Sequence, residues 1–178
     1  GSPDISPNAG DQNAAVHLGF WVAGDMLDQN EIPTSGSASM SGKAVFNVAY
    51  RHNQANSDYG VTQYSSNATV NGTFNWGSGS YSGQLDFTNF DSGNSLVSNA
   101  GFTSFSVSLA GSGATYAGSL NDTNNGWTRE AVIAGALYGN NTPVESGGRI
   151  SVGLSKSGSL GTSGANDFYM AEGIYLID

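Results

Sequence analysis

Cysteine is absent from this chain of 178 residues. That excludes disulfide bridges and thiolate metal sites, so packing alone must hold the fold together. Basic residues are scarce as well, with 5 Lys and Arg against 14 Asp and Glu and a formal net charge of -9. Phosphate recognition runs on clustered cations, which argues against nucleic acid or an anionic membrane as a partner. No apolar run approaches the roughly 20 residues that a membrane-spanning helix needs. Charge of either sign reaches only 11%, well under the usual quarter of a globular domain. The polar surface therefore falls to Ser, Thr, Asn and Gly, a composition of secreted and cell-surface bacterial β proteins.

A helical period is also missing, since no segment sustains one over three turns. Residues 25–31 have room for a single turn. What the chain has instead is a period of two. Ala68, Val70, Gly72, Phe74 and Trp76 share one face of 67–76, and Asn67, Thr69, Asn71, Thr73 and Asn75 the other. Residues 81–88 repeat the pattern, with Tyr81, Gly83, Leu85 and Phe87 inside. The two runs meet through Gly77-Ser-Gly-Ser80, a tight hairpin connection. Further strands are expected over 16–23, 41–51, 102–110, 114–121, 128–138 and 149–155. The last, 168–177, is apolar on both faces and is expected to be covered on both.

Size bounds this to one domain. Gly1-Ser2 reads as a cloning scar on a flexible segment 1–15, followed by a single domain over 16–178, with 155–166 as a linker to its last strand. Eight or nine strands with Gly- and Asn-rich turns give an all-β fold: one antiparallel up-and-down β-barrel of about eight strands, with 168–177 as an extra C-terminal strand. Residues 135–150 form its closing hairpin. Loops 25–37 and 51–65 are long, and long loops on a stiff barrel are where recognition sits.

Catalytic chemistry is poorly represented. His17 and His52 are the only candidate bases, and neither stands in a nucleophile-elbow setting. Asp86 and Glu130 fall on outward faces, so no pair of carboxylates shares a cleft. The expectation is a non-enzyme with no catalytic residue and no metal ligand. Residues 121–126 are rich in oxygen donors but lack the spacing of a calcium loop, and an Asn/Asp/Gly turn accounts for them. The four Asn-x-Thr sequons are what chance supplies in so much Asn and Thr. One small-molecule alternative remains. His52 opens the second long loop, where Tyr59 and Tyr64 could wall a haem whose iron His52, with or without His17, would ligate.

Three stretches carry a resemblance. Pro33-Thr-Ser-Gly36-Ser-Ala-Ser-Met-Ser-Gly42 is similar to the entry into the first barrel strand of transferrin-binding protein B and its relatives. Tyr81-Ser-Gly83-Gln-Leu-Asp86-Phe87 is similar to a recurring strand of that family. Over 135–150, Gly135, Tyr138, Gly139, Glu145, Gly147 and Gly148 match its Tyr-Gly and Glu-x-Gly-Gly pattern, while Leu137 and Asn140 replace a Phe and a Pro. Met40 stands where the family has Tyr, and there is no lipobox Cys.

The resemblance covers 33–155 and implies a barrel of Gram-negative surface lipoproteins and secreted haemophores. These motif residues are structural, so no binding residue is transferred. The expectation is a surface or secreted binding protein of the outer membrane, with or without a lipid anchor. It would take a protein partner through its long loops, without inserting the barrel into the membrane. A haem-binding haemophore and a structural module of a larger adhesin are the alternatives.

Overall fold

Period-two alternation becomes eight strands. The computed structural model describes residues 24–51, 61–140, 142–156 and 167–178. The strands are β1 (Ser37–Arg51), β2 (Thr62–Gly77), β3 (Ser80–Thr88), β4 (Phe105–Ser112), β5 (Thr115–Asn124), β6 (Trp127–Gly139), β7 (Pro143–Lys156) and β8 (Asp167–Ile177). Each pairs antiparallel with its neighbours in sequence, and β8 returns to β1 to close the barrel. A five-residue helix, α1 (Ser95–Asn99), lies between β3 and β4. A single 3-10 turn, Gln29–Glu31, falls within 25–31, where one turn was expected.

The C-terminal strand is thus no addition to the barrel. It is the eighth strand, paired with β7 from Ser146↔Ile177 to Lys156↔Asp167 and with β1 from Gly42↔Ile177 to Arg51↔Phe168. Closure belongs to that β8–β1 seam and not to the 135–150 hairpin, which is the ordinary β6–β7 connection. Nor is the last strand covered on both faces, because Met170 and Leu176 are 56% and 49% exposed on the outer wall. Ser155 and Lys156 of the expected linker end β7, and Thr62–Ser65 of the expected second loop begin β2. The strand expected at 16–23 lies outside the described residues.

Inner-face side chains fill the barrel. Phe46, Phe87, Phe90, Phe102, Phe105 and Tyr169 occupy one half and Phe74, Tyr81 and Tyr116 the other, all buried. Among the described residues, side chains of this size and number occupy the interior, as an eight-strand barrel allows. Within the second half a polar chain is fully paired. Tyr175 donates to Tyr116 at 2.9 Å, Tyr116 and Ser146 share a 2.5 Å bond, and Ser146 donates to the Ala136 carbonyl at 3.2 Å. Gly135 makes that chain possible, since a Cβ there would sit 2.4 Å from the Tyr175 hydroxyl and 2.5 Å from Tyr116 Cζ.

The chain fold places long connections at one end only. Residues 52–61, 89–104 and 157–166 join β1–β2, β3–β4 and β7–β8 there, along with the short turn 125–126. Turns 78–79, 113–114 and 140–142 lie at the other end. At 125–126 both residues are left-handed (Asn125 φ 52, Gly126 φ 76), the mirror-image turn that matches strand twist. No calcium loop forms here: residues 121–124 belong to β5, and both Asp122 oxygens accept from Arg129, at 2.6 and 2.5 Å.

Burial raises the hydroxyl pKa of Tyr64, Tyr81, Tyr116, Tyr169 and Tyr175 above the ordinary 10.0. The folded state holds these protons more tightly than the unfolded chain does. The resulting stabilisation is complete below pH 10.0 and is lost as the pH rises from there towards the folded values. In an alkaline titration, the tyrosinate absorbance of these five should appear together with the loss of the barrel's circular dichroism. Ionisation near the ordinary value with the barrel intact would contradict the packing described above.

Candidate functional site

The end that carries the long connections is built around 89–104. β3 stops at Thr88, and the chain turns through two left-handed residues, Asn89 (φ 56) and Asp91 (φ 40). Between them Phe90 drops fully buried into the barrel mouth. Asn94 then caps α1, its side chain accepting from the Leu96 amide at 2.8 Å. Leu96, Val97, Ala100 and Phe102 bury the inner side of this segment. A plug of apolar side chains therefore seals the mouth and fixes the polar residues above it.

Arg129 of β6 secures the far end of the helix. While bonded to Asp122, it donates to the carbonyls of Ala100 and Gly101 at 3.3 and 3.0 Å, with its guanidinium 5.5 Å from the Phe102 ring centroid. Asn124 adds a bond to the Ala100 carbonyl at 3.2 Å. The guanidinium thus meets the exposed carbonyls of a helix C-terminus, where a cation is favoured. Hydrogen bonding from Arg129 holds the Asp122 carboxyl below its ordinary value.

On the near side of the helix the polar groups converge. Tyr64 donates to Asp91 Oδ2, which also accepts from Tyr169 at 2.9 Å. Asn94 Nδ2 donates to the Tyr64 hydroxyl at 2.8 Å. Tyr50 stands edge-to-face against Tyr64, with ring centroids 5.8 Å apart. A hollow of about 390 Å³ on the outer wall over β6 and β7 is lined mainly by backbone and small side chains. The hollow at the mouth, about 300 Å³, is bounded by Tyr50, Tyr64, Asp91, Gly93, Asn94 and Ser95. It combines aromatic walls with a fixed carboxylate. Burial first, and then Asp91, push the hydroxyls of Tyr64 and Tyr169 upward, so both remain proton donors at neutral pH.

No protein-family model matches the chain, and no curated protein matches it by sequence. The motifs must therefore be read through the geometry they produce. Gly135 opens space for two tyrosines, and Gly42 lies on the closing seam. Tyr138 faces outward and bridges Met26. These residues shape the barrel and stand apart from the mouth.

Of the four residues proposed around haem, His17, His52 and Tyr59 lie outside the described residues. Tyr64 is on β2, not on a loop, and its hydroxyl is engaged by Asp91 and Asn94. The space beside it is lined by Tyr50, Asp91, Gly93, Asn94 and Ser95.

Of the two expected loops, the second lies outside the described residues over 52–60, and the first is described from Gly24 onward. Residues 25–36 lie at the end where β6 finishes, opposite the β1 and β2 termini at Arg51 and Thr62; there the Leu27 amide donates to the Leu137 carbonyl at 3.2 Å and Leu27 is buried. They close the other mouth and share no surface with Tyr64. Sequence reasoning missed Asp91, Asn94, Tyr50 and Tyr169. The run Asn89-Phe-Asp-Ser-Gly-Asn94 was the available signal, since Asn, Asp and Gly before an apolar pair mark a turn entering a helix cap.

Proposed function

We propose that this barrel is a non-enzymatic binding module of a Gram-negative bacterium, displayed at the cell surface or secreted, which takes a protein partner on its α1-bearing end. The observation that carries this reading is the asymmetry of the connections. Three runs of ten or more residues leave from one end, and the turns of the opposite end are two or three residues long. Loops raised on a rigid scaffold are the usual recognition surface. The filled interior supports the same reading, because it leaves the ends and the outer wall as the surfaces open to a ligand. The resemblance to transferrin-binding protein B and its relatives supplies the cellular setting.

The chain contains no cysteine, which makes the test direct. Ser92 and Ser78 are exposed at opposite ends, so Ser92→Cys and Ser78→Cys can each carry a bulky polyethylene glycol. Capture of a protein from host fluid should survive the label at Ser78→Cys and be lost with the label at Ser92→Cys. Equal capture by the two conjugates, or none by the unlabelled protein, would overturn the proposal.

A further inference from the structure

We propose that the hollow between Tyr50, Tyr64 and Asp91 receives the cationic end of a lysine or arginine side chain of the partner. This rests on the reading of the α1-bearing end as the recognition surface and names what that surface grips. At about 300 Å³ the hollow is at the small end of ligand sites. That size suits one extended side chain.

Valence decides the kind of ligand. The protons of Tyr64 and Tyr169 are both consumed on Asp91 Oδ2. Asn94 Oδ1 is taken by the Leu96 amide, and the Tyr64 hydroxyl also accepts from Asn94. Asp91 Oδ1 accepts no hydrogen bond among the described residues. The strongest open group is therefore an anionic acceptor, held in place by two tyrosines and calling for a donor. A neutral hydroxyl would satisfy it in part, and an ammonium or guanidinium would satisfy both its hydrogen bond and its charge.

Charge and aromaticity agree. Among the described residues, no basic residue lines the hollow. The described cations nearest this end are placed otherwise: Arg129 binds Asp122, Lys156 lies 5.8 Å from the Trp127 ring centroid, and Arg51 lies 5.2 Å from that of Phe168. A net charge of -9 draws cations towards the molecule as a whole. Tyr50 and Tyr64, which border the hollow, add aromatic surface of the kind that attracts cations.

Asp91→Asn isolates the charge. Asn keeps an acceptor for the two tyrosines and tolerates the left-handed backbone at this position. The full chain, labelled with nitrogen-15, is titrated with n-butylammonium, n-butylguanidinium and n-butanol as a neutral isostere. Saturable shifts are expected at the Gly93 and Leu96 amides with either cation and not with butanol. Asp91→Asn should weaken the cations about tenfold or more while leaving the barrel spectrum in place. Equal response to butanol, unchanged affinity in Asp91→Asn, or no saturable shift would each overturn the proposal. The parent reading is judged separately: partner capture blocked at Ser92→Cys but retained by Asp91→Asn sinks the cation site alone. If no protein is captured at all, the parent reading falls and the butylammonium shifts still decide the site.

Discussion

Replacing Gly42 with alanine is expected to cost about 3 kcal/mol of stability, at the upper end of what overpacking usually costs. Gly42 lies on the inner face of β1, paired with Val70 on one side and with Ile177 across the closing seam on the other. A Cβ there would stand 2.0 Å from the Leu176 carbonyl oxygen and 2.9 Å from Ile177 Cα. Both are backbone atoms of a hydrogen-bonded strand, so no rotamer change relieves the contact. The seam would have to part.

Gly72 is the control. Its Cβ would meet the side-chain tips Ile177 Cδ1 at 2.5 Å and Leu85 Cδ2 at 3.0 Å, which can turn aside. Gly72→Ala should therefore cost clearly less than Gly42→Ala. Urea unfolding of the two variants decides the matter: if they are equally stable, backbone approach at the seam is not what Gly42 provides.

Phe90→Ala should be at least as damaging, at about 3–5 kcal/mol for a buried phenylalanine. Its ring makes edge contacts with Phe46, Phe105, Tyr169 and Phe102, at centroid distances of 4.8, 5.5, 5.9 and 6.2 Å. The residues on either side of it, Asn89 and Asp91, hold left-handed backbone angles, which Asn and Asp adopt more readily than other non-glycine residues. Burial of Phe90 anchors the turn that they form. Its removal should release Asp91 as well as open a cavity, so any folded fraction should lose the butylammonium shifts. Phe90→Leu retains most of the apolar volume and should keep both properties to a larger degree. A Phe90→Ala protein with near-native stability and intact ammonium binding would show that the plug does not position the site.

Local patterning made the walls of this barrel legible and left its assembly obscure. Alternation over 67–76 and 81–88 became β2 and β3, with Val70, Phe74, Leu85 and Phe87 buried as their period requires. Role was harder to read than existence. The C-terminal strand was visible as a strand, but only its pairing with β1 shows that it closes the ring. The five-residue α1 is shorter than two turns, so no apolar period can announce it. The mouth site was out of reach for a different reason. Its members are far apart in the chain, Asp91 meeting Tyr64 across 27 positions and Tyr169 across 78. Only the barrel's register brings them together.

That same register has a kinetic consequence. β1 is among the first parts of the barrel to be synthesised, yet one of its two edges is satisfied only by β8. Until β8 arrives, β1 and β7 each offer an open row of amides and carbonyls to any passing strand. Ring closure across nearly the whole domain is a high-contact-order event, which places folding among the slow all-β cases of milliseconds to seconds. A chain of this design should leave the ribosome without its finished structure and acquire it in one late step. During that wait the open edges of β1 and β7 are where misassembly would begin.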